Sequence, residues 1–410
     1  MGLERLNILF FLINATGMLP YRMILDNKKK KRFERFDIGW RHPVTWWFVV
    51  VLIIQLIYTP YITTMSVLRE ISGSKNESVI YITATVLWVI CYGIVKLIPT
   101  ILLFRVGGFI TALTDLKKVD RILDKIPNNQ CSSRQRTVIG FACAIIVMVS
   151  GQICASYRTF SLAEKTEILR LFFDFFADFI TSLQFFTWLL LIHLTYYNIA
   201  HRIAILAHFL GDDQEPIRGG KKITVVPVKA ITIGPDTGQL SFRLQKVDYV
   251  FDRLAKTCNQ LKCVFSFPAL LILLTTFLSC TINIFLLLHY FIQPTSVHNN
   301  ILLYLVLLTN EIGMALVVVV SAGLPAQEVK RLRGKFLRLS TKEIDLNDEA
   351  QCAAIVMALS EERVQLSAGG LMPIGKELLP SLTATVITYL VILLQNAIHK
   401  KAIQDKGTAV

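Results

Sequence analysis

Two sets of side chains in this sequence have types and spacings suited to chemistry. Ser381, Thr385, Thr388, Ile392, Gln395 and His399 recur at steps of four and three. Each residue of an α-helix turns by about 100°, so such steps keep to one face. That face is a line of mostly uncharged polar groups, broken by one aliphatic, inside an apolar segment. A water-filled conduit with a hydrophobic constriction requires such a line. One helix encloses no channel. If subunits related by rotation each contributed it, Thr385, Thr388 and Gln395 would become rings of hydroxyls and amides, and Ile392 a ring able to exclude water. The alternative is that these groups bond to neighbouring helices, as Ser, Thr and Gln commonly do in membranes. The stripe alone leaves both open.

The second set is ionisable. Asp174 and Asp178 lie one turn apart in an apolar segment beginning near Ile168, roughly 9 and 15 Å along it at 1.5 Å per residue. Asn310 and Glu311 reach about the depth of Asp178 in a later segment. Trp88, Tyr92, Gln152, Gln184, Trp188 and Asn283 fall in the same outer-to-middle band. Aromatic walls with a few converging donors and acceptors suit a small organic ligand, and the acids favour a polyhydroxy or cationic one. Equally, Asp178 and Glu311 could pair with Arg158, Arg170 or backbone groups to hold helices together, the role we assign to Lys96 near a helix end.

The elements that must position these groups are transmembrane helices. At 53% hydrophobic, 18% charged and a mean hydropathy of +0.53, the 410 residues are too apolar for an ordinary soluble protein. A bilayer core needs roughly 20 apolar residues per helical span. Seven stretches qualify: 44–68, 79–104, 137–157, 168–200, 264–292, 300–323 and 378–399. The expected fold is all-α with seven transmembrane helices. Lysine and arginine stay on the cytoplasmic side. Of 43, 34 fall in 1–43, 105–136, 201–262 and 324–377, against 8 in the alternate loops and the 400–410 tail. The N-terminus is therefore expected in the cytoplasm and the C-terminus outside. This asymmetry accounts for the net charge of +14, so nucleic acid is not an expected partner. The run Lys28 to Arg32 suits acidic inner-leaflet lipid, or serves only as a topology signal.

The division expected along the chain is a cytoplasmic segment 1–43, helices one to four over 44–200, a cytoplasmic loop and helix 201–262, helices five and six over 263–323, a cytoplasmic helical segment 324–377, helix seven over 378–399, and an outer tail 400–410. Gly219, Gly220, Pro216, Pro227, Gly234 and Pro235 mark a loop within 211–238. After it Leu240, Leu244, Val247, Phe251, Leu254, Cys258 and Leu261 repeat at four and three, the seam of a helix that should run into span five. Residues 343–368 read as a second such helix, stopped by Gly369 and Gly370, and the two form a cytoplasmic anchor. Leu6 to Leu19 reads as an interfacial helix rather than a cleaved signal, because Asn14 interrupts it and a basic cluster follows. The eight cysteines avoid the outer loops and read as free thiols.

The last span carries Thr388-Tyr389, five hydrophobic residues Leu390 to Leu394, and Gln395. This resembles the motif that closes insect gustatory receptors, whose following Phe is replaced here by Asn396. Gly17-Met18-Leu19-Pro20-Tyr21, the heptad helix, and Gly370 to Ile374 leading to Leu378-Leu379 extend the resemblance along the whole chain. It implies a ligand-gated, non-selective cation channel of four subunits, each giving its seventh helix to one pore. The partners implied are a small-molecule tastant, the bilayer, and three like subunits or related receptors. The sweet-sensing branch usually has Glu where Leu390 stands, which argues against that branch.

Odorant receptors of insects share the topology and pore but fit the last motif less well. A G-protein-coupled receptor would place its N-terminus outside, and neither Asp/Glu-Arg-Tyr after span three nor Asn-Pro-x-x-Tyr in span seven is present. A transporter would use the buried carboxylates. His193, His201 and His208 are poorly spaced for metal. With no nucleophile motif, phosphate-binding glycine loop or cysteine metal pattern, no catalytic residue, metal site or cofactor is expected. Asn76-Glu77-Ser78 is a glycosylation sequon in an expected outer loop, whereas Asn14-Ala15-Thr16 lies on the expected cytoplasmic side. Asn76 should therefore carry glycan in a eukaryotic membrane. Asn76→Gln should abolish the glycosidase-sensitive gel shift, and an N-glycan at Asn14 instead would reverse the topology.

Overall fold

The computed structural model describes residues 13, 14, 17, 22–26, 32–37, 42–73, 105–123, 168–210, 237–292, 301–340 and 346–407, with 82, 83, 86, 87, 89–91, 93, 94, 97 and 98 of the second apolar stretch. Helices dominate. In order they are α1 Pro43–Ile53, α2 Thr59–Gly73, α3 Val106–Leu123, α4 Ile168–Phe209, α5 Thr237–Ile292, α6 Ile301–Ser340, α7 Leu346–Ala358 and α8 Leu378–Gly407. Among the described residues, five helices are long and apolar enough to cross a membrane. Asn76 and the expected third span, 137–157, lie outside the described residues.

Helix α1 starts with Pro43, whose missing N–H costs nothing at a first turn. A π turn at Ile54–Tyr58 joins it to α2 and carries the buried Gln55. The Gln55 amide donates to the side-chain oxygen of Gln184 on α4. Such a pairing matters because hydrocarbon offers a buried amide no substitute partner.

The core is built from α4, α5 and α6, with α3 against α5. Helix α5 is 56 residues long and continues through Pro268. Its heptad residues Leu244, Val247, Phe251, Leu254, Cys258 and Leu261 are all buried, so seam and span form one rod. Phe265 gathers three aromatic partners: Trp188 at 5.9 Å, Phe109 at 6.0 Å and Tyr196 at 6.4 Å between centroids. The first two are edge-to-face pairs, which contribute about 0.5–1.5 kcal/mol each beyond the area they bury.

At the charged end of the bundle, ion pairs tie the helices together. Arg202 of α4, 3% exposed, clasps Asp120 of α3 with Nε at 2.8 Å and Nη2 at 2.7 Å, and donates to the Asn198 carbonyl at 2.8 Å. Arg105 donates to the Cys263 carbonyl at 2.8 Å, joining α3 to α5. The Lys118 ammonium bonds Asp115 at 2.8 Å and, as the largest influence, holds that carboxyl below its usual value.

The expected all-α character holds, with a short antiparallel hairpin of Arg22–Asp26 (β1) and Arg32–Asp37 (β2) beside the helices. One expectation changes: the second helix of the expected anchor stops early, at Ala358 rather than at Gly369. Ser360 is extended, a 3₁₀ turn spans Glu361–Arg363, and strands β3 Ser367–Ala368 and β4 Met372–Pro373 pair. The reason is legible in burial. Val364, Leu366 and Ala368 are buried and alternate with half-exposed residues, a period of two that no helix can satisfy. Gly369 completes the turn at φ +61° and donates to the Ser266 carbonyl of α5 at 2.9 Å. A Cβ there would meet only the movable end of the Leu270 side chain, so it is the positive φ that calls for glycine.

Replacing Asp120 with Ala would strand the buried Arg202 charge. We expect a loss of about 3 kcal/mol, seen as a lower thermal unfolding midpoint in detergent. Arg202→Met added to Asp120→Ala should restore part of it, and full additivity of the two losses would count against the pair.

Candidate functional site

Helix α8 carries the polar stripe, and its packing decides which way the stripe points. Leu378, Leu379 and Leu382 pack on the core, and Val386 and Leu390 are half-buried along the same side. Tyr389 meets Phe277 of α5 edge-on at 5.8 Å. Thr385, Thr388, Ile392 and Gln395 are exposed, and no residue of the Leu378–Gln395 window is buried within the chain. The threonine hydroxyls turn back on their own helix. Thr385 donates to the Ser381 carbonyl at 2.8 Å and Thr388 to that of Ala384 at 2.9 Å. Within one chain, these hydroxyls therefore do not join α8 to its neighbours. With their protons used internally, their oxygens remain as acceptors on an open face. The side chains of Asn396 and His399 lie outside the described residues.

The expected ligand residues separate into groups. Trp88, Tyr92 and Gln152 lie outside the described residues. Asp174 and Asp178 occur on α4, but their side chains lie outside the described set. Trp188, Asn283, Asn310 and Glu311 can be placed. Trp188 is fully buried against Phe265. Phe265 is 15 residues, about 22 Å along α5 at 1.5 Å per residue, from Cys280, an α5 residue within electrostatic reach of Glu311. Trp188 thus belongs to the aromatic core rather than to the acid's surroundings.

Glu311, 6% exposed, stands on α6 within electrostatic reach of Cys280 on α5 and Cys91 of the second apolar stretch. Asn283 is one turn beyond Cys280 and 1% exposed, and Thr276 is one turn before it. Glu311 Oε2, both amide atoms of Asn283, Thr276 Oγ1 and Asn310 Oδ1 are buried without a hydrogen-bond partner. No ion pair to Glu311 exists among the described residues, and Arg158, Lys96 and the Arg170 side chain lie outside them. At another level His193 Nδ1 lies 2.9 Å from Ser321 Oγ across α4 and α6, while Thr195 Oγ1 and Tyr196 Oη on α4 are also buried without a hydrogen-bond partner.

Sequence reasoning picked out Asn283 and Glu311 but missed Thr276, Cys280 and Cys91. The signal was present, because Thr276, Cys280 and Asn283 repeat at four and three inside an apolar run, as the stripe on α8 does. Among the described residues no group of His, Cys, Asp and Glu is arranged to hold a metal.

The family model of the 7tm chemosensory receptors matches residues 6–398. The chain belongs to the 7tm chemosensory receptor family. It is accordingly a multi-pass membrane receptor and not an enzyme. No curated protein matches the sequence. Among solved structures, this chemosensory receptor is similar in fold to the insect olfactory receptor OR5 from Machilis hrabei, with a TM-score of 0.60 and 10% identity over 96% of this chain and 98% of that one. The same receptor in complex with eugenol gives a TM-score of 0.59 and 9% identity over equal shares. At such identity the likeness shows the shared helical fold, the one in which α8 and the Glu311 cluster are set.

The packing of α8 on α5 rests on a contact that can be measured. A double-mutant cycle of Phe277→Ala and Tyr389→Ala, read by thermal unfolding, should give a coupling of about 1 kcal/mol. Additive losses would mean that the tyrosine is not a docking residue.

Proposed function

We propose that this receptor is a gustatory receptor that is itself a ligand-gated, non-selective cation channel, opened by a small-molecule tastant in the plasma membrane of a chemosensory neuron. Four copies assemble around α8, with the N-terminus in the cytoplasm and the charged ends of α3 to α7 as the inner anchor. The observation that carries the reading is that α8 is a membrane-length apolar helix with none of its apolar window buried in its own chain, and with Thr385, Thr388, Ile392 and Gln395 on its open side. A polar stripe facing lipid would be costly, whereas one facing a shared aqueous axis is solvated. Ile392 is the constriction and Gln395 the polar ring beside it.

Ligand binds in the bundle near Glu311 and Asn283 and acts on α8 through α5. Helix α5 carries Asn283, the Phe277 contact to Tyr389, and the Ser266 carbonyl that holds the turn before α8. A ligand that prefers one position of α5 thereby biases the position of α8. An odorant receptor with the same gating is the second reading, favoured by the likeness to the Machilis hrabei olfactory receptor; it differs in ligand, not mechanism. A screen with taste and volatile compounds separates them.

Expressed alone in cells lacking usable G proteins, the chain should give ligand-evoked cation current. Ile392→Ala should raise the ligand-free leak severalfold, and Gln395→Ala should change single-channel conductance. Unchanged permeation in both would remove α8 from the pore.

A further inference from the structure

Resting on that reading of the bundle as the ligand site, we infer that Glu311 is the counter-charge for a cationic amine ligand whose ammonium it holds together with Asn283 and Thr276. Three independent facts converge. Glu311 is an acid 6% exposed, inside an apolar span, and no Lys, Arg or His among the described residues pairs with it. Asn283, 1% exposed, has neither its amide oxygen nor its amide nitrogen bonded. Thr276 Oγ1 is also unbonded, although the other described threonines of α5, Thr257, Thr275 and Thr281, all donate to the carbonyl four residues back.

Buried polar groups are nearly always satisfied, and unmet ones call for an explanation. Here they share one level, since Asn283 lies 9 residues before the end of α5 and Glu311 10 residues after the start of α6, consecutive helices that pack together, and Thr276, Cys280 and Asn283 keep to one face of α5. The unmet set has mostly accepting character: Glu311 Oε2, Asn283 Oδ1 and the Thr276 oxygen. An ammonium has three N–H donors and no acceptor, which matches that set. A neutral polyol could supply donors too, but it would leave the carboxylate's charge buried without a counter-ion, or require the acid to stay protonated. An amine removes the charge and meets the acceptors at once. The remainder of the ligand is apolar, as Met314 and Ala315, one turn beyond Glu311 on α6, are buried hydrophobics.

The test uses the full-length receptor in nanodiscs, with thermal unfolding read in the presence of matched probes: benzylamine against benzyl alcohol, and hexylamine against hexanol. The amines should raise the wild-type midpoint at concentrations at least tenfold below those of their alcohols. Glu311→Gln, nearly equal in shape, should weaken the amine effect tenfold or more and leave the alcohol effect alone. Asn283→Leu, a variant that leaves Glu311 intact, should weaken the amines by a smaller factor. Equal shifts from amine and alcohol, an amine shift untouched by Glu311→Gln, or no amine shift in the wild type would each overturn the inference. Current recording with the same probes separates it from the channel reading. Current opened by alcohols but not amines sinks the amine assignment and keeps the channel. Amine binding lost in Glu311→Gln, without current from any compound in wild type, keeps the assignment and sinks the channel.

Discussion

A bilayer core offers no hydrogen-bond partner, so each polar group on a spanning helix must be met by its own helix, by a neighbour, or by something that is not part of the chain. Most of this receptor obeys the first two options. Thr181 and Thr187 donate to carbonyls of their own helix, Gln55 meets Gln184, and His193 meets Ser321. The rigid bundle of α4, α5 and α6 follows from that satisfaction together with the packing around Phe265. Two places carry the functional reading: the stripe of α8, whose hydroxyls bond their own helix yet stand on an open face, and the unmet groups around Glu311, which add to other unmet atoms such as Trp188 Nε1 and Tyr196 Oη in the aromatic core. In the proposed reading the first faces other subunits and water and the second a ligand.

Helix α5 relates the two. It is the helix that contributes Asn283 to the cluster, Phe277 to the contact with Tyr389, and the Ser266 carbonyl to the Gly369 turn that precedes α8. Helix α5, 56 residues long, contributes residues from Leu244 to Leu286 to the buried core, where close packing resists local bending. The ion pair of Arg202 with Asp120 ties α4 to α3 at the charged end of the bundle.

Several of the central features were legible in the residues themselves. Membrane-length apolar runs, the heptad seam of α5 and the four-and-three stripe of α8 are periodic signals, and period follows directly from helix geometry. Failures fell where period changes locally. The helix expected to continue to Gly369 ended at Ala358, because Val364, Leu366 and Ala368 alternate over too short a stretch to be noticed beside a longer helical pattern. The hairpin of Arg22–Asp26 with Arg32–Asp37 was missed because basic residues dominate that segment and mask its alternation.

By itself, then, the sequence determined membership of the 7tm chemosensory receptor family, the membrane-spanning character and the existence of a polar face on the last helix, since these depend on composition and on spacing along one helix. Tertiary structure decided which way that face points, that Trp188 belongs to the core and not to the acid's surroundings, and that Glu311 stands without a partner near Cys280. Those outcomes depend on rotation and level between helices distant in sequence. No spacing within one helix encodes the angle at which another helix meets it.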